Sequence, residues 1–388
     1  MVHSSETTRR ELERIGVDPE AFELFVDKSI PMILKCEGLS CAQANVLKQT
    51  ALLCGADVAV ARSVYHTATR KKTCALVFAN RREINRMVER LAVQPWMSAV
   101  REQLSAALDA GDAPMLRLGD ATITFTRTYI MGVINITDDS FYQGSRYTAQ
   151  DEILQVACEM ETAGADFIDI GTESSRPGAK PTSVKADMKK LQRILPQISR
   201  SVKIPISIDT YKSEIASYAL DNGATIINDI SGLRFDRRMG EILARKNAAV
   251  VIMHMQGTPR TMQRHPSYHD LMGEIHDFFR KTIETICDKG VSRDRIVIDP
   301  GLGFGKRLED NYEIINRLEE LTVFGRPLLV GHSRKSFIGK PFGLDPGDRL
   351  EGTLGVQSLL IKNGANIIRV HDVKEAKKVA QLIDRITR

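Results

Sequence analysis

From Tyr129 to the C-terminus the sequence repeats one rhythm, a short apolar and β-branched run followed by a longer stretch with helical spacing. The runs cover 129–135, 167–170, 204–209, 225–229, 249–254, 296–299, 328–331 and 367–370. Each is mostly apolar along its length rather than on alternate residues, so the strand it forms is buried on both faces. Strands of that kind, separated by helices, make a parallel sheet covered on both sides. Eight units within about 260 residues predict a (β/α)8 TIM barrel. A doubly wound open sheet is the alternative, and it rarely runs through so many consecutive units. Helices over 149–163, 213–222 and 270–289 are expected to stop at Gly164, Gly223 and Gly290, and a last helix over 374–386 to start from Asp372 as N-cap.

Upstream the texture changes. Segments 115–118 and 121–126 flank Gly119-Asp120 and read as a hairpin placed to close the N-terminal end of the barrel. Before it, 31–36 and 74–79 read as strands, and 41–53 and 81–91 as helices. The organisation expected is a small α/β extension over 1–112 and a barrel with its hairpin over 113–388. The extension carries no catalytic constellation, and its role is unassigned.

Composition narrows the class only a little. The 388 residues are 43% hydrophobic and 27% charged, which leaves room for two domains, and the net charge of +5 suits a small anion as well as a nucleic acid. The cluster Arg70-Lys71-Lys72 reads as a solvated loop, so no nucleic-acid partner is expected. Six cysteines form no C-x-x-C pair and no zinc spacing, and are expected as reduced thiols. The polar first dozen residues lack a signal-peptide core, and no apolar stretch approaches the roughly 20 residues of a membrane helix. A soluble, cytoplasmic protein is the expectation, with no membrane partner.

A barrel presents its chemistry at the C-terminal ends of its strands. Those positions here hold Asn135, Asp169, Asp209, Asn228-Asp229, His254, Asp299, Lys335, Arg369 and His371. One polar residue at a strand tip is as readily a loop cap as a ligand group, but a nearly complete ring of them predicts a site. Asp209, Asp299 and Asn228 can form an acceptor-rich wall for a flat heterocycle whose adjacent N–H donors match paired carboxylate oxygens. Ser174-Ser175-Arg176-Pro177-Gly178, Ser333-Arg334-Lys335-Ser336, Arg369 and His371 suit an anion, and Asn135 offers an oxygen to a hard cation such as Mg²⁺. The glycines of Gly301-Leu302-Gly303-Phe304-Gly305-Lys306 fit neither nucleotide-loop spacing. His254 lacks a spaced partner and reads as a packed histidine rather than a metal ligand.

Met131-Gly132-Val133-Ile134-Asn135-Ile136-Thr137 with Asp139-Ser140-Phe141 resembles the first signature of the dihydropteroate synthases, and Asp169-Ile170-Gly171 through Glu173-Ser174-Ser175-Arg176-Pro177-Gly178 resembles the second. Ser207-Ile208-Asp209-Thr210, Asn228-Asp229-Ile230-Ser231-Gly232, the segment from Asp299-Pro300 to Lys306, Ser333-Arg334-Lys335-Ser336 and Arg369-Val370-His371-Asp372 extend the resemblance, in order, from Met115 to the C-terminus. The resemblance implies an enzyme joining 6-hydroxymethyl-7,8-dihydropterin pyrophosphate to p-aminobenzoate, with loss of pyrophosphate, in folate biosynthesis. It implies that Asp209, Asn228, Met253, Asp299 and Lys335 hold the pterin. Asn135, Ser175, Arg176, Arg369 and His371 then hold the pyrophosphate, with Mg²⁺ on Asn135. Ser175, Arg176, Pro177, Phe304, Lys335 and Ser336 line the p-aminobenzoate pocket, the target of sulfonamides. Asp209, Lys335 and Arg369 carry the catalysis, and a homodimer formed through late barrel helices is implied.

The sequence departs from the family in its loops. Asp138 stands where proline is usual, Tyr142-Gln143 where serine and aspartate are commoner, and Ser175 where threonine is usual. These changes bear on aryl-amine and sulfonamide affinity rather than on the pterin wall. Two rival readings are a pterin-dependent methyltransferase, which needs no anion site of Arg176, Lys335, Arg369 and His371, and a non-catalytic paralogue, which needs no complete ring of strand-tip groups.

Overall fold

A computed structural model describes residues 5–29, 31–65, 72–109, 113–136, 148–173 and 182–387. Arg70, Lys71, Asp138, Tyr142, Gln143, Ser175, Arg176 and Pro177 lie outside the described residues. The chain divides into two compact units, Met1–Asp112 and Ala113–Arg388.

In the first unit, strands β1 (Pro31–Leu39), β2 (Asp57–Val60) and β3 (Thr73–Asn80) form an antiparallel sheet in the order β1-β3-β2. Along β3, Ala75, Val77 and Ala79 are buried while Cys74, Leu76 and Phe78 are exposed, the period of two that a strand packed on one face requires. The buried side meets the helices Cys41–Cys54, Arg81–Leu91 and Ser98–Asp109 through Leu47, Ala51, Ile84, Met87 and Leu104. Two helices start without a loop because reciprocal capping pairs, Ser40 with Gln43 and Asn80 with Glu83, satisfy their first backbone donors.

The second unit begins with the hairpin β4 (Met115–Leu118) and β5 (Ala121–Thr124). Eight parallel strands follow: β6 (Tyr129–Asn135), β7 (Phe167–Gly171), β8 (Ile206–Asp209), β9 (Ala224–Asp229), β10 (Ala249–Met253), β11 (Ile296–Asp299), β12 (Leu329–Gly331) and β13 (Ile367–Val370). They run round the sheet in chain order, β13 pairing with β6, and a parallel bridge from Ile298 to Leu328 joins β11 to the start of β12. The fold is the TIM barrel that the alternation predicts. The largest difference in strand bounds is that the strand expected over 204–209 starts at Ile206, because Pro205 has no N–H for the ladder; the others shift by at most one residue, so that His254 lies just past the end of β10. The helices expected to stop at Gly164, Gly223 and Gly290 end two residues earlier, at Thr162, Asp221 and Asp288, and each glycine takes the left-handed turn (φ 96°, 102° and 96°).

Alternation along the barrel strands separates two apolar layers. Ile130, Ile168, Ile227, Val250, Ile296 and Ile368 pack under the surrounding helices, whereas Met131, Phe167, Ile226, Val251, Val297 and Ile367 fill the barrel with Leu116, Leu118 and Phe125. The hairpin therefore plugs the N-terminal end. Buried Arg295 fastens it, donating to the carbonyls of Gly119 (3.1 Å) and Asn247 (2.5 Å). With one end closed by hydrocarbon, the polar strand tips share the other. Among the described residues no helix is long and apolar enough to cross a membrane.

Candidate active site

Strand register lines the key groups up in one row. Asn135 on β6 pairs with Gly171 on β7, Gly171 with Asp209 on β8, and Asp209 with Asn228 on β9. Gly171 leaves this row open, since a Cβ there would sit 3.2 Å from Asn135 Oδ1 and 3.8 Å from Asp209 Cβ. On the far side Met253 of β10 pairs with Asp299 of β11, and Gly331 of β12 with Arg369 of β13. Asp209, Asn228, Asp299 and Arg369, which the sequence puts up to 160 positions apart, thus share the C-terminal end of one barrel.

Asp169, two residues inside the tip of β7, ties this row together. Its Oδ2 accepts from Arg369 Nε (2.7 Å) and from Asn228 Nδ2 (3.0 Å), and Arg369 Nη2 donates to Asp209 Oδ2 (3.1 Å). The sequence reading placed Asp169 at a strand tip but gave it no role. Among the described residues its buried Oδ1 has no hydrogen-bond partner, a costly state for a carboxylate oxygen. Burial pushes Asp209 up to about 7 against the pull of Arg369, with Asp169, Asp229 and Glu173 adding to the rise. Burial also raises Asp299, opposed chiefly by Lys335. Buried carboxylates held this way favour a partner that brings N–H donors with it.

Lys335 owes its direction to its neighbour. Arg334 adopts a left-handed turn (φ 55°), unusual for a residue with a side chain, and the two cations diverge. Arg334 points away to a bidentate pair with Asp372 (2.8 and 2.9 Å) and to the carbonyls of Pro346 and Gly347, so it is not the anion ligand that its motif suggests. The Asp372 carboxylate expected to cap the last helix, Val373–Thr387, holds Arg334 instead. Lys335 turns inward, donates to Leu302 O (2.5 Å) and lies 4.5 Å from the centre of the Phe304 ring. Burial lowers it to about 8, with Asp299 pulling the other way.

The glycine-rich segment after β11 folds against this lysine. Gly301 must be glycine on two counts: its φ is 69°, and a Cβ would fall 2.1 Å from the His254 carbonyl oxygen. Its N–H donates to Asp299 Oδ1 (2.7 Å), fixing that carboxylate. Lys306 ends the segment wholly inside the protein, 3.0 Å from His254 Nδ1, and burial lowers it to about 7. His254 packs edge-on against Phe278. Met253, Ile230, Met255 and Met262 form an apolar floor with Tyr211 and Phe304.

His371 is held by Ser333, whose Oγ lies 3.0 Å from Nδ1, and Ser336 is exposed at the start of the short helix Ser336–Gly339. No group of three or more His, Cys, Asp or Glu residues forms a metal cage among the described residues. The donor set instead fits a cation that keeps most of its water. Asn135 offers a single exposed amide oxygen beside the open Gly171 position, and Mg²⁺ characteristically takes one or two protein oxygens together with substrate phosphates. Lys306 escaped the sequence reading as a site group. Only the position of Lys306, directly after three spaced glycines, could have signalled it.

A family described as "Pterin binding enzyme" matches residues 131–371. The dihydropteroate synthase of Synechocystis sp. is 40% identical over 263 residues, which is 68% of this chain and 91% of that protein. A crystal structure of the Yersinia pestis dihydropteroate synthase with a sulfonamide drug complex aligns at a TM-score of 0.66 and 37% identity, over 70% of this chain and 98% of that one. A Halobacterium salinarum protein named "Probable bifunctional folylpolyglutamate synthase/dihydropteroate synthase" is 35% identical over 383 residues, 96% of this chain and 45% of that protein. A match of that extent necessarily includes most of the first unit.

Proposed function

The chain belongs to the dihydropteroate synthases, the pterin-binding enzymes that condense 6-hydroxymethyl-7,8-dihydropterin pyrophosphate with p-aminobenzoate, and we propose that its strand tips divide that work between an acidic wall and a cationic rim. The carrying observation is the row Asn135–Gly171–Asp209–Asn228, bridged by Arg369 through Asp169 and Asp209. Asp209, Asn228 and Asp299 accept the N–H groups of the pterin's amino-pyrimidine edge. Met253 supports its ring from the apolar floor, and Lys335 approaches from the side of Asp299. Arg369 donates from Nε and Nη2 to the two aspartates, so its remaining N–H groups are available to the diphosphate, which His371 also faces.

Asn135 would hold Mg²⁺, which would supply charge neutralisation to the leaving group. The pterin methylene carbon loses its bond to the diphosphate oxygen, gains one to the aryl amine nitrogen, and the amine's proton passes to solvent. Ionised Asp209 beside the ring stabilises the cationic carbon during that exchange. The aryl amine is a weak nucleophile, so holding it close matters more than activating it. Phe304, Lys335 and Ser336, with Ser175, Arg176 and Pro177 carried over from the resemblance, form its subsite. Sulfonamides would compete there, as the Yersinia complex suggests for its own enzyme.

The same proposal includes a cytoplasmic location and a homodimer through the helices Leu350–Lys362 and Val373–Thr387. The charge assigned to Asp209 is open to direct test. With both substrates saturating, Asp209→Asn should lower kcat by about 100-fold or more, the scale of losing one aligned electrostatic contact to a transition state. A variant that keeps nearly full kcat would remove this role.

A further inference from the structure

Lys306, outside the groups assigned to either substrate, ends the glycine-rich segment after β11. It is 2% exposed, and its ammonium reaches three uncharged acceptors: His254 Nδ1 (3.0 Å), the His254 carbonyl (3.3 Å) and the Phe304 carbonyl (3.1 Å). An ammonium buried on neutral partners costs stability that an apolar side chain there would not. The bond to Phe304 is one of a set. Four successive carbonyls each accept from a different side chain: Leu302 from Lys335 (2.5 Å), Gly303 from Gln263 (2.8 Å), Phe304 from Lys306, and Gly305 from Tyr268 (2.6 Å). The Gly303 N–H donates in turn to Asn311 Oδ1 (2.6 Å). With Gly301, Gly303 and Gly305 all at positive φ, the segment has little conformational preference of its own, so these bonds set its path. Its one ring, that of Phe304, is half-buried and lies against Lys335.

We propose that Lys306 is a positioning residue for the aryl-amine substrate, acting through Phe304, whose backbone it ties to the end of β10. The inference rests on the reading above that Phe304 lines the p-aminobenzoate subsite. Lys306 is the member of the set that bonds Phe304 itself. Its other partner, His254, is a fixed base, since the His254 N–H donates to the Asp299 carbonyl (2.9 Å) and so continues the ladder between β10 and β11. Cutting the tie leaves the ring in the protein but no longer holds it in place. A lysine that served the fold alone would act on the enzyme whether or not the ring were present.

The test is a double-mutant cycle in the full-length enzyme with the pterin pyrophosphate saturating. Lys306→Met should raise the KM for p-aminobenzoate by about tenfold, the scale of a lost charged hydrogen bond, and Phe304→Ala should raise it at least as far. Added to Phe304→Ala, Lys306→Met should change that KM by less than about twofold, because no ring is left to place. If Lys306→Met unfolds, Lys306→Gln carries the same cycle, since it keeps an N–H inside the segment but is too short to reach all its acceptors. An equal loss with and without the ring, or an unchanged KM in the lysine variant, overturns the proposal. Phe304→Ala with an unchanged KM would instead overturn the subsite reading beneath it, and the proposal with it.

Discussion

Arg369 and Lys335 are both half-buried cations at the C-terminal end of the barrel, yet their surroundings treat them in opposite ways. Arg369 sits between two carboxylates that keep it charged, whereas Lys335 bonds to a carbonyl and a ring face and is lowered to about 8. The acids bear the matching cost. Asp209, raised from 3.8 to about 7, takes up a proton in the folded enzyme more readily than in the unfolded chain. Its contribution to stability is therefore fully present below about pH 4 and lost as pH rises towards 7. The melting temperature of the ligand-free enzyme, measured against that of Asp209→Asn, should fall by at least about 3 °C across that window. A constant difference would show that Asp209 titrates normally. Bound pterin should remove the penalty by giving the ionised carboxylate its N–H partners. Residue identities at the strand tips were legible in the sequence because parallel strands end where apolar runs end. Their partners were not: Arg369 finds Asp169 across 200 positions and Lys212 finds Glu173 across 39, pairings that only the closed ring creates.

Among the elements, the barrel strands were easiest to read, since burial on both faces writes an unbroken apolar run. β2 went unread because its four residues bury only one valine fully, too little pattern to separate from a loop. The opposing directions of Arg334 and Lys335 were likewise hidden, because a left-handed turn at a non-glycine residue leaves no compositional mark. The late helices carry a readable surplus. Leu359 on the first is 52% exposed, and Leu382 and Ile386 on the second are 59% and 68% exposed. Isolated exposed leucines need no explanation, but three on two packed neighbouring helices suit a symmetric contact. Sedimentation should give a particle of two 43.2 kDa chains, and Leu359→Glu with Leu382→Glu should shift it to one chain without unfolding the barrel. A wild-type monomer at micromolar concentration would exclude this interface.

For the whole molecule, the chemistry belongs to the second unit, in which the apolar plug of hairpin and strands and the polar strand tips occupy opposite ends of one barrel. The first unit has its own core, and its counterpart in the Halobacterium protein means that it accompanies this barrel in at least one other chain. The decisive measurement is pyrophosphate release by the full-length chain supplied with the pterin pyrophosphate and Mg²⁺, followed before and after p-aminobenzoate is added. Release should begin with the amine and match the dihydropteroate formed, mole for mole. Steady release before the amine arrives, or none after it, would contradict a barrel whose acids hold the pterin while its cations draw off the diphosphate.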